Sequence, residues 1–503
     1  MARGGNGGGH PPGKGAGGVN NLFRQIEWRD VFVPAVHFVD GLVLFILFVY
    51  ATTYLLQLVT AFLELRQSHR RIHSATPWWI LTSKVSFPIS ILVPAYNEEK
   101  TIVESIRSML SLHYPDFEVI VANDGSKDRT LAVMTEAFDL KPVQRLYQLS
   151  IHCKPFRGIY TSTRYPLTVV DKENGGRADA LNAALNVARN PLVCAVDADS
   201  MLEPDSLLRM VRPFLLEPEE MMAVGGRIRV VNGCEVESGR VVRIGLPKGL
   251  VPLFQVIEYI RSFQITRMSW SQMQSVVIVS GAFGLFKRIP VIKVGGWMHN
   301  TVGEDLELTV KLHRHCRQNR MKYQVRYLTD PVCWTEVPPN LKILRSQRTR
   351  WARGMLEVLF KHRDMIFAPK YGLPGMFSLG YFFIFDAIGP FIELAGYFII
   401  PTCWFIGILN TPFFLAYLGL LYVFGVFVSV GSLFLDEKES KERTPPRDLL
   451  LLTLIAFAEN FGYRQINSYW RVIGWWHFLR KKQSWGTMVR AGFQKTTPGG
   501  AAR

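Results

Sequence analysis

The sequence lacks the marks of a disulfide-built or metal-cluster protein. Its six cysteines (Cys153, Cys194, Cys234, Cys316, Cys333 and Cys403) form no CxxC pair and no regular framework. Reduced, mostly buried thiols facing a reducing compartment are therefore expected. His313, His315 and Cys316 lie close together, but adjacent and i,i+2 positions on a helix point apart, which argues against a metal site there. No internal repeat is present. Acidic residues are in the minority, 41 against 58 lysines and arginines, for a formal net charge of +17. That balance favours an anionic partner: a nucleotide, a phosphorylated substrate, nucleic acid or an acidic membrane face. Residues 1–19 have almost nothing to bury, with nine glycines and two prolines, and read as a disordered tail. The first apolar run starts near residue 37, which fits a secretory signal peptide poorly.

Apolar residues make up 48% of the chain and are concentrated in particular segments. Residues 37–63 contain one charge, Asp40, and exceed the roughly 20 apolar residues that a bilayer crossing needs. Arg66, Arg70 and Arg71 follow, so the side after residue 65 is expected to be cytoplasmic. Residues 376–435 are apolar again, broken near Asn410-Thr411-Pro412, and 449–479 form a third stretch after a charged loop. After Glu459 there is no acidic residue but eight lysines and arginines, which predicts a cytoplasmic C-terminus. An even number of later crossings is then required, so 376–409 or 449–479 divides, or one of them lies on the surface. The expected organisation is a tail (1–19), a transmembrane helix (37–63), a cytoplasmic domain (85–340), interfacial helices (341–375), transmembrane helices (376–479) and a basic cytoplasmic tail (480–503).

Between residues 85 and 335, β-branched runs ("ISILVPAY", "FEVIVAND", "PLTVVDKE", "PLVCAVDAD") alternate with helix-like stretches. This predicts an α/β domain with a parallel sheet covered on both faces. Ligands of such sheets bind at the carboxyl ends of the strands, where the acidic motifs fall. "PAYNEEKTI" (94–102) is a strand-to-helix turn with backbone N–H groups to offer. Asp124 ends a strand, and either accepts hydrogen bonds from a ligand or makes an Asx turn. Gly175-Gly176 beside Lys172 and Arg177 either holds a diphosphate or is a plain turn. Asp197 and Asp199 are a pair of hard oxygen ligands suited to Mg²⁺ or Mn²⁺. Glu304 and Asp305 open an amphipathic helix; they complement its dipole, or Asp305 serves as a general base. In "SQRTRWARG" (346–354), helical spacing places Arg350 and Trp351 on the side of Gln347. Arginine suits diphosphate oxygens and tryptophan offers a face to a sugar ring. A basic interfacial helix on lipid is the other reading.

Taken in order, Asp124, Asp197-x-Asp199, Glu304-Asp305 and Gln347-x-x-Arg350-Trp351, flanked by apolar helices, resemble family 2 processive membrane glycosyltransferases, the group of cellulose, chitin, hyaluronan and poly-N-acetylglucosamine synthases. The resemblance covers about residues 85–360. It implies a nucleotide-sugar-binding, GT-A-like mixed sheet with helices on both faces, plus an α-helical transmembrane region. By the same resemblance, Asp124 and the backbone around Ala95 and Asn97 contact uridine. Lys172 and Arg177 lie near the nucleotide or its diphosphate. Asp197 holds the nucleotide sugar, Asp199 binds the metal, and Asp305 is the base beside Glu304. Gln347 and Arg350 contact diphosphate and acceptor, and Trp351 floors the acceptor sugar. The basic-collar reading of the same stretch is kept for Arg348 and Arg353, which are expected on the lipid surface. "FQVIEYIRSF" (254–263) and "SGAFGLFKR" (280–288) are similar to the acceptor-side helix and loop. The departures are Arg177 where many relatives have lysine, Gly303 before Glu304-Asp305, and Met488 after "SWGT" (484–487), with Arg490 as a substitute.

The implied activity is an inverting, metal-dependent hexosyl transfer from UDP-N-acetylglucosamine or UDP-glucose in the cell (inner or plasma) membrane. The product is a β-linked polysaccharide that is exported. The alternative is one sugar added to a lipid acceptor. Partners are the UDP-sugar, a growing glycan or lipid acceptor and membrane lipids. Nucleic acid is not expected, because carboxylates lining the sites repel a bare phosphate backbone. No oligomeric state follows.

Overall fold

The computed structural model describes residues 48–64, 86–439 and 444–480, with Arg66 and four isolated positions before residue 48. The glycine-rich tail, most of 37–47, Arg70, Arg71, and the basic stretch after Arg480 with "SWGT", Met488 and Arg490 lie outside the described residues.

Twelve strands are present among the described residues. They are β1 (Ile89–Ala95), β2 (Phe117–Asp124), β3 (Leu140–Pro142), β4 (Phe156–Ser162), β5 (Leu167–Lys172), β6 (Leu192–Val196), β7 (Ser200–Leu202), β8 (Met221–Val230), β9 (Glu235–Glu237), β10 (Arg240–Arg243), β11 (Phe283–Lys287) and β12 (Gln324–Thr335). Ten form one sheet in the order β3-β4-β5-β2-β1-β6-β11-β8-β12-β7, and β9 and β10 form a separate hairpin. The strands from β5 to β6 run parallel. They carry the continuous apolar runs of strands buried on both faces, as Ile89, Ile91, Leu92 and Val93 show. β11 enters antiparallel between β6 and β8, and antiparallel strands also close both edges. The sheet is thus mixed, as the resemblance implies, where strand–helix alternation alone predicted it parallel.

Helix Arg177–Val187 packs on β1 and β2 and is buried at every position after Arg177. Its alanines let it lie between sheet and covering loops, and only its first residue reaches the cleft. Helix Ile102–Leu110 follows the strand-to-helix turn of residues 94–102.

Helix Leu341–Lys361 starts at Asn340, whose side chain caps the amide of Ile343 at 3.1 Å. Two glycines set how closely it docks: a Cβ added at Gly354 would lie 2.6 Å from the backbone N of Gly303. Glu357 accepts from Thr301 Oγ1 at 2.9 Å and Val302 N at 3.0 Å, and Lys361 reaches buried Glu307 at 2.6 Å. Gly303 therefore has a packing reason. Helix Tyr463–Leu479 covers the other side, where a Cβ on Gly474 would meet Ala352 Cβ at 2.7 Å.

Two described helices, Pro374–Ile406 and Phe414–Glu439, are long and apolar enough to cross a membrane, and Phe48–Glu64 is a shorter apolar helix. The stretch 449–479 divides at Gly462 into helices Pro446–Ala458 and Tyr463–Leu479. Asp436, near the end of Phe414–Glu439, ties that helix to the sheet through Arg227 at 3.2 Å and Arg229 at 2.8 Å.

Gly354→Ala should lower stability by about 1–3 kcal/mol, the usual cost of overpacking. Gly419→Ala, where a Cβ meets nothing within 4 Å, should not. Thermal denaturation of the full chain in detergent measures both.

Candidate active site

Each acidic residue of the cleft lies just past a strand or opens a helix. Asp197 follows β6 in a tight turn closed by Ser200 N to Asp197 O at 3.0 Å. Glu304 and Asp305 begin helix Glu304–Gln318, whose first turn also contains Glu307. Arg177, at the start of its own helix, joins them. Its Nη2 lies 2.8 Å from Asp197 Oδ1, and its Nη1 lies 2.7 Å from Glu304 Oε1 and 3.0 Å from Asp305 Oδ1.

One cation therefore faces three carboxylates. Burial alone would lower the Arg177 pKa, but Asp197, Asp305 and Glu304 outweigh it and hold the guanidinium charged well above its ordinary value. The Asp305 carboxyl is pushed up to about 7. Loss of water raises it most, Arg177 opposes, and the charges of Glu304 and Asp197 push further upward. A carboxyl titrating near neutrality at the edge of a cleft suits a proton acceptor. Glu304 is buried and reaches Asp305 only through charge and the shared arginine.

Gly281 seals this cluster from the other side. A Cβ there would lie 2.1 Å from Asp305 Oδ2 and 2.3 Å from Arg177 Nη2. The sequence showed Ser280-Gly281-Ala282 only as part of a loop; its closeness to Asp305 arises from the antiparallel entry of β11.

Two expected nucleotide contacts lie inside the protein instead. Lys172 is fully buried, between Asp124 at 2.6 Å and Asp179 at 2.5 Å, so it does not face a diphosphate. Asp124 is buried as well and accepts from Gly175 N at 2.9 Å, Gly176 N at 2.7 Å and Asn174 Nδ2 at 3.2 Å. Of the two readings of Gly175-Gly176, a diphosphate holder or a plain turn, the amides are here held as a turn by a carboxylate of the protein. Asp124 and Lys172 thus fix the loop that launches Arg177. Gly176 adopts φ of 89°, a conformation open to glycine.

Ala95 is buried at the end of β1, and Asn97 is exposed with φ of 56°. Asn97 accepts from Lys127 N at 2.8 Å and donates its own N–H to Ser126 Oγ at 3.0 Å. The loops after β1 and β2 are thereby tied into one rim.

Asp199 is buried beside Asp197. Among the described residues no cluster of three or more His, Cys, Asp or Glu side chains could hold a metal. Two carboxylates suit a Mg²⁺ or Mn²⁺ whose shell is completed by phosphate oxygens and water.

On helix Leu341–Lys361, Gln347 is buried and its Oε1 has no hydrogen-bond partner among the described residues, an acceptor that a ligand hydroxyl would satisfy. Arg350 is half-buried and Trp351 is 43% exposed. Arg348 and Arg353, expected on the lipid surface, are instead buried against Glu258 at 2.7 Å and Glu357 at 2.7 Å. A helix packed on two sides leaves little of its circumference for lipid.

The family model described as glycosyl transferase family 2 matches residues 90–295. The poly-β-1,6-N-acetyl-D-glucosamine synthase of Staphylococcus epidermidis (strain ATCC 35984) is 30% identical over 274 residues, 54% of this chain and 56% of that protein. A probable glycosyltransferase of Bacillus subtilis (strain 168), YdaM, is 28% identical over 309 residues, 61% of this chain and 64% of that protein. The chain thus matches little more than half the length of such curated relatives. A solved structure of the mannosyltransferase PcManGT from Pyrobaculum calidifontis, in complex with GDP-Man and Mn²⁺, is similar with a TM-score of 0.46 at 17% identity, covering 86% of this chain and 99% of that one.

Replacing Arg177 with Met should expose the three-carboxylate cluster to its own repulsion and raise the folded-state pKa of Asp305 further above its unfolded value, because the opposing charge is lost. A carboxyl raised in this way binds its proton more tightly when folded, so stability is lost as pH rises through the unfolded and then the folded pKa. The deficit of Arg177→Met against wild type should be larger at pH 8 than at pH 5 in thermal midpoints. An equal deficit at both would contradict the hub.

Proposed function

We propose that this chain, whose residues 90–295 match the glycosyl transferase family 2 model, is a membrane-embedded inverting glycosyltransferase that polymerises a β-linked polysaccharide from a UDP-sugar and passes it outward. The observation that carries the reading is the convergence of Asp197, Glu304 and Asp305 on Arg177 at the cleft end of the sheet. The identity to poly-N-acetylglucosamine synthases supports a polymer product and favours UDP-N-acetylglucosamine over UDP-glucose as donor.

In this reading the uridine lies along the rim formed by Ala95, Asn97 and the loop after Asp124. Asp197 orients the donor sugar. Asp197 already pairs with Arg177, which makes Asp199 the ligand of Mg²⁺ or Mn²⁺. When bound, the ion supplies positive charge to the leaving diphosphate. Arg350 adds a fixed cation on the same oxygens. Gln347 accepts from a sugar hydroxyl, and Trp351 supports the acceptor ring.

Asp305 takes the proton of the acceptor hydroxyl as that oxygen bonds to the anomeric carbon. The bond from this carbon to the diphosphate oxygen breaks on the opposite face, and UDP leaves with the electron pair. Only the ionised carboxylate can accept the proton. Arg177 keeps Asp305 ionisable near neutrality, while Glu304 keeps it basic enough to act. In this reading the apolar helices Pro374–Ile406 and Phe414–Glu439, which follow the acceptor platform along the chain, cross the membrane and receive the product, with the catalytic domain on the cytoplasmic side.

Asp305→Asn should reduce sugar transfer at least about a hundred-fold while UDP binding, measured by calorimetry, is retained. Near-normal turnover would sink the base assignment. For the wild type, kcat/KM should rise with pH through about 7 as free Asp305 ionises. Glu304→Gln removes an upward push on that pKa, so the inflection should move to lower pH; an unmoved inflection would contradict the coupling.

A further inference from the structure

Trp351 does not stand alone on its helix. The Arg348 guanidinium carbon lies 4.4 Å from the centre of the indole ring, within range of a cation–π contact. Arg348 Nη2 donates to Glu258 Oε2 at 2.7 Å, and Tyr463 OH donates to the same oxygen at 2.9 Å. Tyr463 in turn stacks on Phe254, with ring centres 4.7 Å apart. Glu258 and Phe254 belong to helix Leu250–Arg261 and Tyr463 opens helix Tyr463–Leu479. Three helices thus meet at one carboxylate oxygen. Tyr463 and Arg348 are both buried, yet Trp351 remains 43% exposed.

We propose that Glu258, Arg348 and Tyr463 form a clamp that fixes the Trp351 indole, with the guanidinium backing one face and the other presented to the C–H face of the acceptor sugar. The three are positioning residues. Their contacts run to one another and to Trp351, so they act on the acceptor through Trp351. The proposal rests on the glycosyltransferase reading and deepens it by assigning acceptor affinity to a contact between the catalytic domain and a membrane-side helix.

The chemistry separates the three roles. Lysine at 348 keeps a charge near Glu258 but loses the planar group that stacks on indole. Phenylalanine at 463 keeps the stack on Phe254 and loses one hydrogen bond to Glu258. Glutamine at 258 still accepts from both partners but removes the charge that holds the guanidinium. None of these changes opens a cavity, so each variant should fold.

The test uses the full chain in lipid nanodiscs, with β-linked N-acetylglucosamine oligosaccharides as acceptor probe. Arg348→Lys should raise the acceptor KM about ten-fold, as expected for loss of one well-placed cation–π contact. Tyr463→Phe and Glu258→Gln should raise it several-fold. The donor KM and the slow release of UDP to water should stay within two-fold of wild type. Trp351→Ala should weaken acceptor binding, and adding Arg348→Lys to it should weaken binding no further. Unchanged acceptor KM in all three clamp variants, or additive losses in the double variant, would overturn the clamp and leave the enzyme reading intact. A wild-type chain that neither releases UDP from a UDP-sugar nor binds the oligosaccharide would overturn both together.

Discussion

The guanidinium of Arg177 is held by carboxylates from two distant parts of the chain, Asp197 beyond β6 and the Glu304-Asp305 pair at a helix start. Without a cation there, three acids in a partly dry cleft would repel one another, and the turn after β6 and the helix would be driven apart. The rest of the cleft serves this meeting point. Lys172 and Asp124 neutralise each other beneath it and spend their hydrogen bonds on the loop that ends at Gly176. That loop aims the first residue of an otherwise buried helix into the cleft. Gly281 leaves the space that the Arg177–Asp305 contact occupies.

A second constraint is the close approach of helix Leu341–Lys361. Gly354 lies against Gly303, two residues before Asp305, so the register of Gln347, Arg350 and Trp351 against Asp305 is set by backbone contact. The same helix rests on Tyr463–Leu479, and Asp436 binds the apolar helix Phe414–Glu439 to β8. The cleft and the apolar helix Phe414–Glu439 are therefore tied to one sheet, and helix Tyr463–Leu479 has a short path to Trp351.

Much of this was legible in the residues. Buried parallel strands announce themselves as unbroken β-branched runs, and the carboxylates at 197, 304 and 305 mark the cleft by their places after a strand and at a helix start. What escaped was whatever depends on which distant residue arrives opposite. Lys172 reads as a phosphate ligand until Asp179 is seen to claim it, and Asp124 reads as a ligand contact until the amides of Gly175 and Gly176 fill its oxygens. Arg348 and Arg353 look like lipid-facing arginines in a basic stretch; their carboxylate partners Glu258 and Glu357 turn them inward. The antiparallel entry of β11, and with it the role of Gly281, follows from a crossover that local periodicity does not encode.

In the proposed enzyme the Arg177 cluster serves the transfer of sugar from a UDP-sugar to a growing glycan. Its most direct measurement is a screen of UDP-sugars for UDP release by the full chain in nanodiscs with Mg²⁺ or Mn²⁺, with the product of the active donor sized. Release from UDP-N-acetylglucosamine that requires the divalent ion, and a product many sugars long, are the expected results. No release from any UDP-sugar, or a product of one sugar on a lipid, would contradict the proposed function.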